Sequence, residues 1–346
     1  MRALCLTATG GPQHLALREI APPGPPAPDE VQVAIRAIAL NHLDLWVAQG
    51  LPGVPLPSLP HVVGCDGAGE IRAIGSAVEQ VAVGDRVVIN PGWGCGTCEA
   101  CLGGDDVFCR QFGVMGEHRS GVAAEWVNLP ARAVTPIREA WTWAEAAAFP
   151  LASLTAWRML TTRARVQADE TVLIWGIGGG VATQALQIAR HLGARVIVTS
   201  SSDEKLARAL ALGAEAGFNH ATTDDIGRAI KQHWGHGADV IVDSVGRATW
   251  DRSLRALRPG GRLVTCGATT GHAVDVDLRR LFWFQWSLLG STMGTPREFA
   301  EVVARGEAGH LRPIIDGVYP LADGVAAYRH LADGRQFGKL VLEVTP

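Results

Sequence analysis

At 346 residues the chain is too long for one ordinary core, so about two domains are expected. Its 47% hydrophobic and 19% charged content excludes a disordered or fibrous polymer and fits a globular enzyme-sized chain. A net charge of −3 gives no basis for binding nucleic acid or an anionic membrane surface, and no apolar run approaches the length of a membrane span.

Met1-Arg-Ala-Leu-Cys-Leu-Thr runs into Gly10-Gly11-Pro12 before a signal-peptide core can form. The seven cysteines, four of them clustered, suit a reducing compartment better than a disulfide scaffold, so a cytoplasmic location is expected. The first third is rich in proline and glycine and lacks long helical periodicity. Ala21-Pro-Pro-Gly-Pro-Pro-Ala-Pro reads as a loop, because proline cannot donate to a ladder. Val31-Gln-Val-Ala-Ile-Arg-Ala alternates as a half-buried strand should, and Asp85-Arg-Val-Val-Ile is a second strand. Leu51 to Pro60 is again punctuated by proline.

Cys95, Cys98, Cys101 and Cys109 follow, in the frame Cys-x2-Cys-x2-Cys-x7-Cys. Four thiolates at loop spacing can surround one Zn²⁺ as a closed tetrahedron. Pro91, Gly92, Gly94, Gly96, Gly103 and Gly104 suit the tight winding this requires. A site of four cysteines leaves no position for substrate, so one structural zinc per chain is expected, in a loop spanning 91–110.

From Thr171 strands alternate with helices. Thr171-Val-Leu-Ile-Trp is a short apolar strand, followed by the turn Gly176-Ile-Gly-Gly-Gly180 and a helix with Val181, Ala185, Ile188, Ala189 and Leu192 on one face. Arg195-Val-Ile-Val-Thr is the next strand, and Ser202 or Asp203 caps the helix after it. Asp239-Val-Ile-Val-Asp, Gly261-Arg-Leu-Val-Thr-Cys and Ser287-Leu-Leu-Gly-Ser-Thr-Met continue the series. Such repetition implies a parallel sheet covered on both faces. The closing Phe337-Gly-Lys-Leu-Val-Leu-Glu-Val is strand-like and is expected to return to the first domain.

Glycines between a buried strand and a helix let backbone approach a pyrophosphate at the helix N-terminus. Gly176, Gly178, Gly179 and Gly180 are therefore cofactor residues; Val181 stands where a strict frame has its third glycine, and Ala182 takes over the close packing contact. NAD sites place a carboxylate at the end of the second strand. Here that position falls among Thr199, Ser200, Ser201 and Ser202, which leave room for a 2′-phosphate that Lys205 could neutralise. NADP(H) is expected over NAD(H); the alternative makes Asp203 the ribose ligand.

With these features the chain resembles the medium-chain dehydrogenase/reductase superfamily over essentially its whole length. The likeness rests on the cysteine loop, Gly64-Cys-Asp-Gly-Ala-Gly69, the Gly176–Ala182 turn, Ser200-Ser-Ser-Asp-Glu-Lys205 and Phe337-Gly-Lys-Leu-Val-Leu342. It implies an α/β fold: a doubly wound Rossmann sheet inserted into a GroES-like β-rich catalytic domain. The boundaries are 1–150 for the catalytic domain with its zinc loop, 151–293 for the Rossmann domain, and 294–346 for the return.

The resemblance also implies where the chemistry lies. Zinc alcohol dehydrogenases hold a second, catalytic zinc with Cys, His and Cys, with Glu beside the His. Matched motif to motif, Asn41 stands at the first Cys, Cys65 at the His, Asp66 at the Glu and Leu151 at the second Cys. Leu43 replaces the proton-relay hydroxyl. Only Cys65 remains from a set that needs about three protein ligands. Ala39-Leu-Asn41 with Asp44, and Phe149-Pro-Leu with Thr155-Ala-Trp, are instead similar to quinone oxidoreductases, which use NADPH and no metal.

The expected activity is therefore NADPH-dependent reduction of a carbonyl or activated C=C bond in a small molecule, with Asn41, His42, Cys65 and Asp66 as catalytic-site residues. The resemblance sets His42 at the cofactor pyrophosphate and Asn41 and Thr155 by the nicotinamide. It sets Ser244, Val245, Gly246, Gly267, Ala268, Ser291, Thr292 and Met293 at cofactor-lining strand ends, and Lys339 at the cofactor from the final strand. One alternative is a zinc dehydrogenase with substituted ligands, drawing on His42, His61, Cys65, Asp66, Glu117 or His118. Another is a nucleotide-binding protein without turnover. Relatives form homodimers or homotetramers, and the apolar run Leu281-Phe-Trp-Phe-Gln-Trp-Ser-Leu-Leu could supply such a contact. Residues 51–60 and 110–120 shape the substrate pocket, and the sequence does not name the substrate.

Overall fold

The computed structural model describes residues 1–50 and 56–345, so the first half of the loop Leu51–Pro60 lies outside the described residues. The chain divides into two compact units: Met1–Ala152 with Gly294–Pro346, and Ser153–Met293.

In the second unit six parallel strands form one sheet. Their spatial order is Ala216–Asn219, Arg195–Ser200, Thr171–Ile174, Ala238–Asp243, Leu257–Thr265 and Ser287–Gly290. In chain order this is third, second, first, fourth, fifth and sixth, the arrangement of a doubly wound dinucleotide fold. The middles of the central strands are apolar because both faces are covered: Val172, Leu173, Ile174, Val240 and Ile241 are all fully buried. The helix Gly180–His191 buries Ala182, Ala185, Leu186, Ile188 and Ala189, whereas Val181 is only partly covered. The strand expected from Ser287 ends at Gly290 and, among the described residues, forms one open edge of the sheet.

In the first unit the strand Glu30–Ala39 is the hub of a seven-stranded sheet. It pairs antiparallel with Asp66–Ile74, Trp126–Pro130 and Lys339–Glu343. The closing strand thus lies inside the first unit. Two elements had no clear sequence signal. Asp66–Ile74 carries two glycines that blur its alternation. His42–Gln49 is a short helix whose start is marked by the Asp44 carboxylate, which accepts the Asn41 backbone N–H at 2.8 Å.

Candidate functional site

The four cysteines of the loop converge: their Sγ atoms all lie within 4.8 Å of one another, and Cys95 and Cys101 are 4.0 Å apart. A zinc–sulfur distance of about 2.3 Å sets neighbouring sulfurs about 3.8 Å apart in a tetrahedron, so a slight contraction closes the shell. The surroundings are built for thiolate. The Cys95 sulfur accepts from the backbone N–H groups of Thr97 at 3.4 Å and Cys98 at 3.3 Å, and from the Thr97 hydroxyl at 3.5 Å. The bonds from Thr97 hold its thiol down at about 5, while burial pushes Cys101 up to about 12. The Cys109 sulfur accepts from the N–H groups of Cys95 and Gln111, both at 3.3 Å. Gly94 has no room for a side chain, since a Cβ there would stand 2.5 Å from the Cys101 sulfur. Four thiolates and Zn²⁺ carry a net −2, and Arg119 and Arg132 donate to the carbonyls of Trp93 and Gly94 at the start of the loop. The cluster fits a structural zinc.

In the second unit the turn after Thr171–Ile174 is tied to the next strand. Gly176, at φ +66°, donates to the Thr199 hydroxyl at 3.3 Å, and Ile177 donates to the Thr199 carbonyl at 2.9 Å. The following helix begins at Gly180 without a side-chain cap, which leaves its first N–H groups for an anion. At the second strand end the buried Ser200 hydroxyl accepts the Ser202 N–H, and Ser202 caps the helix Asp203–Ala211 through the Lys205 N–H. Asp203 is held by the Asn219 amide at 2.7 Å. The Ser244–Gly246 loop hangs on a residue that sequence reasoning missed. The fully buried Asp243 carboxylate accepts from the N–H groups of Val245 and Gly246, the Thr249 hydroxyl and the Ser253 hydroxyl, at 2.8 to 3.0 Å. Thr155 is buried in the helix Pro150–Trp157, Ser291 donates its N–H to Thr265, and Met293 is buried at φ +47°.

In the first unit three of the four residues expected at the catalytic site come together. The Asn41 amide nitrogen lies 2.8 Å from Asp66 Oδ2 and 3.4 Å from the Cys65 sulfur. The Cys65 thiol donates to Asp44 Oδ1 at 3.4 Å. Asp66 Oδ1 accepts the Leu151 N–H at 2.8 Å. Lys339, expected at the cofactor, completes this cluster: its ammonium lies 2.5 Å from Asn41 Oδ1 and 3.0 Å from Asp66 Oδ2. Asn41, Asp44, Cys65, Asp66 and Lys339 are all buried, as is Tyr328 beside them. Burial pushes Asp44 up to about 6 and raises Cys65 and Tyr328 well above their ordinary values. His42 is not part of the cluster; its exposed ring stands edge-on to Trp46.

The other metal-capable side chains are engaged elsewhere. His61 bonds the Gly116 carbonyl at 2.9 Å, and His118 lies 3.5 Å from Glu117 while accepting the Val114 N–H. Among the described residues the Cys95 group is the only set of three or more such side chains with convergent ligand atoms. Also among them, no helix is long and apolar enough to cross a membrane.

Residues 27–139 match the alcohol dehydrogenase GroES-like domain, and residues 180–308 match the zinc-binding dehydrogenase family. The chain is 32% identical to a quinone oxidoreductase of Pseudomonas aeruginosa over 97% of each. It is 31% identical to a zinc-type alcohol dehydrogenase-like protein of Leptosphaeria maculans, again over 97% of each. The chain belongs to the medium-chain dehydrogenase/reductase superfamily. The crystal structure of an NAD-dependent alcohol dehydrogenase superposes with a TM-score of 0.94 at 41% identity, covering 100% of both chains. As a member of this superfamily the protein is an NAD(P)-dependent oxidoreductase, of the zinc-type alcohol dehydrogenase and quinone oxidoreductase kind.

Proposed function

We propose that the protein is an NADPH-dependent reductase of carbonyls or conjugated C=C bonds, with one structural zinc and no catalytic metal. The observation that carries this reading is the buried cluster of Asn41, Asp66 and Lys339. A catalytic zinc needs about three protein ligands and an open fourth position. Here Asn41 and Leu151 offer neither thiolate nor imidazole, both Asp66 oxygens are already hydrogen-bonded, and an ammonium stands beside them.

The cofactor would supply the hydride, and the protein would supply orientation. With no metal to lower an alcohol's pKa, the chemistry favoured is addition of hydride to an acceptor that stabilises negative charge itself. The likeness to a quinone oxidoreductase supports this reading. NADP(H) is supported by the absence of a ribose-binding carboxylate at Ser200 and Ser201 and by the capture of Asp203 by Asn219. Cofactor oxidation across a panel of quinones, enones and aldehydes tests the assignment; no turnover on any of them would leave a nucleotide-binding protein without this activity.

A second reading, a zinc alcohol dehydrogenase with substituted ligands, draws on the likeness to zinc-type alcohol dehydrogenase-like proteins and on Cys65. Metal counting separates the two.

We also propose that two copies associate through the open sheet edge at Ser287–Gly290. The adjacent helix Leu278–Trp283 exposes Leu278, Phe282 and Trp283 by 68%, 69% and 74%, an apolar patch beside an edge strand. In the remainder of that run Trp286 is buried, Leu281, Phe284, Leu288 and Leu289 are half-buried, and Gln285 and Ser287 are exposed.

A further inference from the structure

We propose that Asn219 sets the choice between NADP(H) and NAD(H), as a positioning residue that holds the Asp203 carboxylate away from the cofactor ribose. This rests on, and deepens, the reading that the protein prefers NADPH.

Strand register brings the pair together. Ser200 and Asn219 are register partners at the ends of the parallel strands Arg195–Ser200 and Ala216–Asn219. Asp203 opens the helix that follows the first of these strands. It is the first carboxylate beyond the strand end where a dinucleotide fold places its ribose ligand. The direction of the Asn219 amide is fixed by its own turn: Oδ1 accepts the Ala221 N–H at 3.0 Å. Nδ2 therefore faces the other way, donating to Asp203 Oδ1 at 2.7 Å with the Ser201 carbonyl at 3.5 Å.

The turn itself is pinned. The N–H groups of Thr222 and Thr223 donate to the Asn219 carbonyl at 3.2 and 2.8 Å, and the His220 N–H donates to the Ser200 carbonyl at 2.9 Å. The Arg252 guanidinium donates to the carbonyls of His220 and Thr223. A half-buried, rigidly presented donor thus captures an exposed carboxylate at the distance of a charge-assisted bond. Released from it, the Asp203 carboxylate gains a free oxygen to accept from a ribose 2′-OH, and its charge opposes a 2′-phosphate.

The test is fluorescence titration of NADPH and NADH against the full-length protein, with folding checked by circular dichroism. Asn219→Ser keeps a hydroxyl for the turn but is too short to reach Asp203, and Asn219→Ala removes both bonds. In each folded variant the ratio of the two Kd values should move roughly tenfold toward NADH. In an Asp203→Asn background the same substitutions should leave the ratio unchanged, because the effect runs through that carboxylate. A folded Asn219→Ser or Asn219→Ala protein with the wild-type ratio, beside a wild type that prefers NADPH, overturns this inference alone. So does an equal shift in the Asp203→Asn background. Tighter NADH binding in wild type overturns the NADPH reading beneath it.

Discussion

Lys339 and Asn41 face each other across two antiparallel strands, 2.5 Å apart between ammonium and amide oxygen, although 298 positions separate them in the chain. The contact sets the direction of the amide: its oxygen meets the lysine, so its nitrogen must meet Asp66 and Cys65. A carboxylate, an ammonium and an amide thereby satisfy one another in a buried place. This arrangement makes the site self-neutralising and removes the need for a metal to balance it.

The zinc loop should behave as a structural element. One zinc per chain is expected, and Cys98→Ser should lower the Tm far more than it lowers turnover, because a structural metal contributes to folding. Gly94→Ala should do the same, since its Cβ would stand 2.5 Å from the Cys101 sulfur. Elemental analysis with thermal unfolding checks both. Normal zinc content and an unchanged Tm in Gly94→Ala would count against the assigned geometry.

Asp44 should leave a signature in the pH dependence of stability. Burial raises its folded pKa from 3.8 to about 6, so the folded state holds the proton more tightly than the unfolded chain does. Its contribution is fully present below about pH 4 and is lost as pH rises through about 6, a fall on the order of 3 kcal/mol. Urea unfolding of wild type against Asp44→Asn should show this extra fall in wild type alone. Parallel curves between pH 4 and 6 would contradict it.

Local chemistry was legible in the sequence; long-range chemistry was not. The cysteine frame and the Gly176–Gly180 turn are contiguous, and their spacing carries their meaning. The apolar strands of the parallel sheet stood out because burial on both faces leaves them few polar residues. Asp66–Ile74 was hidden by its glycines. Placing Lys339 in the cluster requires knowing that Val341 pairs with Ala39, which no pattern within either strand specifies. Asp243 was passed over for a related reason. It looked like the end of a strand, and its four partners lie within the next ten residues, in a loop and a helix without periodic signal.

Cofactor preference should follow the second strand end. NADPH is expected to bind more tightly than NADH, and Lys205→Ala should weaken NADPH by roughly tenfold while leaving NADH nearly unchanged, as a lost partly exposed charge–phosphate contact would. Fluorescence titration of both cofactors decides this. Tighter NADH binding in wild type would point instead to Asp203 as the ribose ligand.

Association through the sheet edge should depend on the exposed aromatics. Wild type is expected to sediment as a dimer or larger at micromolar concentration, and Phe282→Glu with Trp283→Glu should shift it toward monomer by placing charge in an apolar contact. A wild-type monomer would refute the assignment.

The central claim is hydride transfer without a catalytic metal. The most direct measurement is NADPH consumption with an α,β-unsaturated ketone or a quinone, before and after prolonged chelation that leaves the structural zinc in place, beside oxidation of ethanol and benzyl alcohol. The expected result is reduction that survives chelation and alcohol oxidation that is poor throughout, because neither Asn41 nor Leu43 can acidify an alcohol. Fast alcohol oxidation abolished by the chelator would contradict the account and establish a zinc dehydrogenase with substituted ligands.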